Sequence, residues 1–178
     1  MFHVELDQAE AALAISDGPL TETQRPLGVS LTNASALLWR LGMLGYDVSD
    51  RWRTLAPIWA GHADGRCSVF CDLHALMADL GAGDDRGADR RVAAMRTTAA
   101  GDDEAGAIYR QAGVPLADGL VAFRRGSYAE AAETLFAARF ATRLIGGSQA
   151  QRDIADWTLT EAALRGGRRD MALALAYE

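Results

Sequence analysis

Residues 115–142 read PLADGLVAFRRGSYAEAAETLFAARFAT, and this stretch decides the fold. Gly119 is followed by Gly126, Tyr128, Ala131, Leu135 and Ala138. Small residues at 119 and 131 let two helices touch, because neither side chain holds the backbones apart. Gly126 stands where the chain must reverse, and glycine takes left-handed backbone without steric cost. The stretch is therefore a helical hairpin. Outward from it the pattern returns. Gly167, Ala172 and Ala176 stand 41 residues after Gly126, Ala131 and Leu135, and Ala88 and Val92 lie 43 before Ala131 and Leu135.

A small residue, a turn glycine, an aromatic and an Ala-x3-large pair is the pattern of a tetratricopeptide hairpin, whose usual period is about 34 residues. The wider spacing here predicts degenerate hairpins with longer joints. The fold expected is all-α: antiparallel helical hairpins stacked as a tetratricopeptide-like α-solenoid with a right-handed superhelix. One domain, residues 1–178, begins inside a repeat, and the competing fold is a plain four-helix bundle. Helical stripes recur along the chain: Leu37, Leu38, Leu41 and Leu44; Trp52, Leu55, Ala56 and Trp59; Val69, Leu73, Leu76, Met77 and Leu80. Breaks are expected near Asp17–Leu27, Gly45–Ser49, Gly61–Gly65, Gly81–Gly87, Ala99–Asp102, Gly113–Val114, Arg125–Ser127, Gly146–Ser148 and Gly166–Gly167. Helices between short connections pair antiparallel.

Composition narrows the function classes. Apolar residues make up 49% of the chain but aromatics only 7%, so the core is aliphatic and rich in alanine, the best helix former. Every basic residue is arginine, which reads as a GC-rich bacterial genome rather than a nucleic-acid site. A formal net charge of −6 argues against a phosphate-backbone partner, which needs a basic stripe. The pairs Arg90–Arg91, Arg124–Arg125 and Arg168–Arg169 read as solvated helix ends that complement the dipole. No segment has the apolar length of a membrane span or the pattern of a signal peptide, so a cytoplasmic protein is expected.

Two further strings carry a specific likeness. Leu37-Leu38-Trp39-Arg40-Leu41, Arg51-Trp52 and Phe70-Cys71-Asp72-Leu73-His74-Ala75 form the first. Gly146-Gly147-Ser148-Gln149-Ala150-Gln151-Arg152-Asp153, followed by Leu159 and Glu161-Ala162-Ala163-Leu164, forms the second. Together they resemble the tetratricopeptide repeat protein 38 family, in order, from about residue 2 to the end. The resemblance implies that the chain corresponds to the family's C-terminal part and that it is a helical solenoid; it implies little about chemistry. This chain has Gln149 where the family usually has histidine and Cys71 where it has asparagine, which weakens a metal or proton-transfer site at those positions.

Cys67, Cys71 and His74 fall at i, i+4 and i+7, but zinc needs a fourth ligand or a water with supporting contacts, and His62 is the only nearby addition. No metal and no cofactor are expected. Asp72, His74, Gln149, Arg152 and Asp153, joined by Arg40, are the candidate ligand-binding set. If their helices share a concave face, Asp72 and His74 form a base pair and Arg152 holds an anion. The structural alternative is a brace: Ser148 as N-cap, with Arg152 and Asp153 tying the glycine-rich joint to its helix. Gly81-Ala82-Gly83 lacks the strand and Lys-Ser/Thr of a phosphate loop, and neither Ser127 nor Ser148 has a nucleophile's setting.

The reading that follows is a non-catalytic helical-repeat scaffold for a peptide or protein partner, with an enzyme-like, anion-binding pocket around His74, Arg152 and Asp153 as the alternative. Phe2–Leu6 reads as the tail of a first helix and Ala9–Ile15 as its partner. Uncovered solenoid ends predict a homodimer.

Overall fold

A computed structural model describes residues 28–60 and 68–177, together with Glu10, Ala11, Leu13 and Ala14. The expected break at Asp17–Leu27, the joint at Gly61–Gly65, and the Phe2–Leu6 helix lie outside the described residues, as do His62 and Cys67. Glu10, Ala11, Leu13 and Ala14 are helical, and Leu13 packs against the core.

Most of the described residues are helical, and among them there is no strand. In order they form α1 (Gly28–Met43), α2 (Ser49–Ala60), α3 (Val69–Ala82), α4 (Asp85–Ala99), α5 (Glu104–Ile108), a π-helical turn (Tyr109–Gly113), α6 (Val114–Arg124), α7 (Tyr128–Ala138), a 3-10 turn (Arg139–Leu144), α8 (Gln149–Arg165) and α9 (Arg169–Ala176). None of these helices is long and apolar enough to cross a membrane.

Local sequence accounts for most boundaries. Ser68 caps α3, its Oγ accepting from Cys71 N at 3.2 Å, and Gly83 ends it in the left-handed region. Asp84 caps α4 through Gly87 N at 2.9 Å. Ser148 begins α8 as the sequence predicts, its own N–H donating to Gln151 Oε1 at 2.9 Å, the return half of a capping box. Two boundaries differ from expectation. No break occurs at Gly113–Val114, because the π turn carries α5 into α6 and Pro115 falls in the first turn of α6, where its missing N–H costs nothing. Past Ala138 the chain tightens into a 3-10 turn before the joint.

The α6–α7 hairpin is built as its pattern demands. Gly126 has φ +81°, and Ser127 N bonds Ala122 O at 2.9 Å across the turn. A Cβ on Gly119 would come within 2.5 Å of Leu135 Cγ and Cδ2, so the contact exists only because position 119 is bare. Ala131 and Ala138 are buried beside it.

α3 is the central helix. Val69, Leu73, Leu76, Met77 and Leu80 are all buried, as their stripe predicts, and so are Ala75 and Ala78 on the remaining faces. It packs against α1, α2, α4 and α6, while α6–α7, α7–α8 and α8–α9 pair in sequence. α8 also packs back on α1, although over a hundred residues of chain separate them. Trp39 Nε1 donates to Thr158 Oγ1 at 3.0 Å, and Arg165 Nη2 to Met43 O at 2.8 Å. Early and late helices are thus brought together at the α1–α8 contact. Leu44, assigned to the α1 stripe by period, lies past the helix end and is exposed.

Arg91 is not a solvated end. Its Nε donates to Asp79 Oδ2 at 2.7 Å, with both side chains buried between α4 and α3. Burial pushes the Asp79 carboxyl above its ordinary range, and the Arg91 guanidinium opposes that rise.

Candidate functional site

The seam between α1, α3 and α8 holds four of the six predicted residues. Arg40 is fully buried; it donates to Asp153 and to Ala36 O at 3.2 Å, and lies 5.6 Å from the Trp157 ring. Arg152 extends over the start of α8 and donates to Gly147 O and Gly146 O. His74 sits on α3 beneath them, its ring 4.5 Å from that of Phe70. Its Nδ1 lies 2.7 Å from Phe70 O. A carbonyl can only accept, so Nδ1 carries the proton and Nε2 is a bare lone pair. Nε2 has no hydrogen-bond partner among the described residues. Burial, helped by the Arg40 charge and opposed by the Phe70 bond, pushes the imidazolium down to about 4.

His74 lines a small, partly open cavity of about 20 Å³ formed largely by Leu73, Met77, Leu116, Leu120 and Ile154, with Arg152 at its edge. That is room for one water molecule and for no substrate.

Asp72 and Gln149 stand apart from this seam. Asp72 is two residues from His74, which on an α-helix turns it roughly 200° away. It accepts from Tyr109 Oη of the π turn, buried on the opposite side of α3. Asp72 and His74 therefore form no acid–base pair. Gln149 is exposed on the first turn of α8. Cys71 is half-buried, and among the described residues no group of three or more His, Cys, Asp or Glu side chains converges as metal ligands.

A second concavity lies at the other end of α1. It opens where the C-terminal ends of α1, α3, α6 and α8 meet the N-terminal ends of α2 and α7, and has a volume of about 230 Å³. Trp39, Tyr46, Trp52, Phe123 and Tyr128 line it, five of the chain's thirteen aromatic residues. Trp52 is wedged flat on α3: a Cβ on Gly81 would come within 2.4–2.6 Å of its indole atoms. Phe123 and Tyr128 meet edge-on at 5.4 Å. Both contacts pack the wall closely.

Two arginines form the polar rim. Arg165 lies over Phe123 and Tyr128 at 5.4 and 5.5 Å, and pairs with Glu161 at 2.6 Å. Arg124 Nε donates to Leu80 O at 3.0 Å, at the end of α3. Asp47, on the opposite lip, accepts from Ser49 N at 3.0 Å; that bond holds its carboxyl below the ordinary range.

No protein-family model matches the chain, and no solved structure matches it.

The sequence reading missed this pocket for a definite reason. Its residues come from six helix ends spread over positions 38–165. The available signal was compositional: aromatics are scarce, and Trp39, Trp52, Phe123 and Tyr128 each sit within a few residues of a helix boundary.

Proposed function

We propose that the protein is a non-catalytic, tetratricopeptide-like helical-repeat scaffold that binds a short peptide segment of a partner protein in the aromatic pocket between its helix ends. One observation carries the reading: an open pocket of about 230 Å³ is lined by five of the chain's thirteen aromatic residues beside two arginines. Tyr46 and Tyr128 stand at the opening with Trp39, Trp52 and Phe123 buried behind them, and aromatics beside arginine are the composition of binding hot spots. The volume is below the roughly 300–1,000 Å³ usual for drug-sized ligands and cofactors, and suits one large side chain with its flanking backbone. The hairpin geometry at Gly119, Gly126 and Leu135 supports the repeat assignment, and the resemblance to the tetratricopeptide repeat protein 38 family is in keeping with it. In this reading the α1–α8 contact is the superhelix wound tightly enough to bring early and late repeats together.

The enzyme-like alternative at His74, Arg152 and Asp153 draws less support. Its cavity admits one water, Asp153 is engaged by Arg40, and Arg152 is bonded to the Gly146 and Gly147 carbonyls. The brace reading accounts for each contact.

Gly42 offers the test. It lines the pocket, and a Cβ there would meet only Val48 Cγ2 at 3.8 Å, ordinary contact. Gly42→Phe should fill the pocket and leave the fold intact. Random short peptides displayed against the wild type should be enriched and then lost against Gly42→Phe. Equal enrichment by both proteins, or none by either, refutes the proposal.

A further inference from the structure

We infer that the peptide taken by the aromatic pocket presents an acidic side chain next to a bulky apolar one, with its carboxylate held by Arg124. This rests on the peptide-binding reading and adds the chemistry of the ligand.

The argument is an accounting of the charges around the pocket. Four helix C-termini point toward it, and each carries partial negative charge on its last carbonyls. Left open, they would favour a cation. Two of them are closed by the rim arginines: Leu80 O of α3 by Arg124, and Met43 O of α1 by Arg165. Asp47 is likewise committed, to the N-terminus of α2, with Arg51 and Arg53 acting on its charge. Arg165 has Glu161 as a counter-ion.

Arg124 differs. A guanidinium has five N–H donors, and Nε makes the only hydrogen bond Arg124 forms among the described residues. No carboxylate pairs with it there, whereas its neighbour Arg125 pairs with Asp89 at 3.1 Å. The Nε bond to a helix-end carbonyl fixes the plane of the fork, while the side chain remains exposed. A fixed fork with both terminal nitrogens available matches a carboxylate bidentately. Exposed Tyr46 and half-buried Tyr128 at the opening take the apolar neighbour.

Three fluorescein-labelled peptides, acetylated and amidated at their ends, test this by polarisation: Gly-Gly-Trp-Glu-Gly-Gly and its Trp-Gln and Trp-Lys counterparts. The Trp-Glu peptide should bind at least about tenfold tighter than Trp-Gln, with Trp-Lys weakest. Arg124→Gln should bring Trp-Glu to the Trp-Gln level, its fold checked by circular dichroism. Tyr46→Ala should weaken the peptides by a common factor, since it alters the apolar lip alone. Equal binding of Trp-Glu and Trp-Gln would overturn the acidic assignment while leaving peptide binding standing, and preference for Trp-Lys would show that the helix ends dominate. Binding of none, alongside a failed peptide display, would remove both readings. If N-acetyltryptophan binds as tightly as the Trp-Glu peptide, the site serves a small free carboxylate and the peptide assignment falls.

Discussion

His74 shows how one buried side chain sets a pH response. Its imidazole titrates near 6.5 in an unfolded chain and about 4 in the fold. Between those values the unfolded chain takes up a proton that the folded protein refuses, so this contribution to stability is present above pH 6.5 and is lost as pH falls toward 4. The loss amounts to about 3 kcal/mol over the window. His74→Leu should flatten the dependence of urea-unfolding free energy on pH between 6.5 and 4; an unchanged slope would mean that His74 is not the group responsible. The polar residues above it predict a graded pair of effects. Arg152→Ala removes exposed bonds to the Gly146 and Gly147 carbonyls and should cost about 1 kcal/mol. Asp153→Ala deprives the buried Arg40 of its carboxylate and should cost about 2–4 kcal/mol. Chemical denaturation of the two variants measures both, and the reverse order would contradict the brace.

Among the helical elements, α6 and α7 make the sharpest prediction. Gly119 and Leu135 occupy one space, so Gly119→Val should overpack the hairpin and Leu135→Ala should leave a void, each costing about 2–4 kcal/mol. The valine then has the space that the leucine vacated. The double variant should be at least about 1 kcal/mol more stable than the sum of the single losses, read from a double-mutant cycle. Strict additivity would show that the two residues do not share the contact. At this scale the sequence was highly legible, because glycine at a turn, alanine at a crossing and a stripe of leucines are all local signals. The exceptions were also local. The π turn joining α5 to α6 hides the break expected at Gly113, and Leu44 continued a stripe beyond the helix that gave it meaning.

For the whole molecule, the α8–α9 hairpin leaves Leu164, Leu173 and Tyr177 at 56%, 58% and 89% exposure. Large apolar side chains this exposed on adjacent helices favour burial against another surface, and a two-fold arrangement buries them on both copies without growing into a fibre. A homodimer through this hairpin is therefore expected. Sedimentation at micromolar concentration should report twice the 19.0 kDa chain, and Leu164→Glu with Leu173→Glu should return it to one. A monomeric wild type would assign those leucines to some other role.

Sequence by itself determined the helical class, the positions of most turns and caps, the buried stripe of α3 and the close packing of Gly119, because each follows from residues within a turn or two of one another. It held the Asp72–His74 separation as well, since two positions along a helix point to opposite sides whatever surrounds them. Tertiary structure alone decided which polar residues meet. Arg91 with Asp79, Arg40 with Asp153 and Tyr109 with Asp72 pair only after their separate helices have packed together. The aromatic pocket belongs to the same category. It exists only where α8 closes on α1, and no local pattern records that two helices more than a hundred residues apart end at the same place.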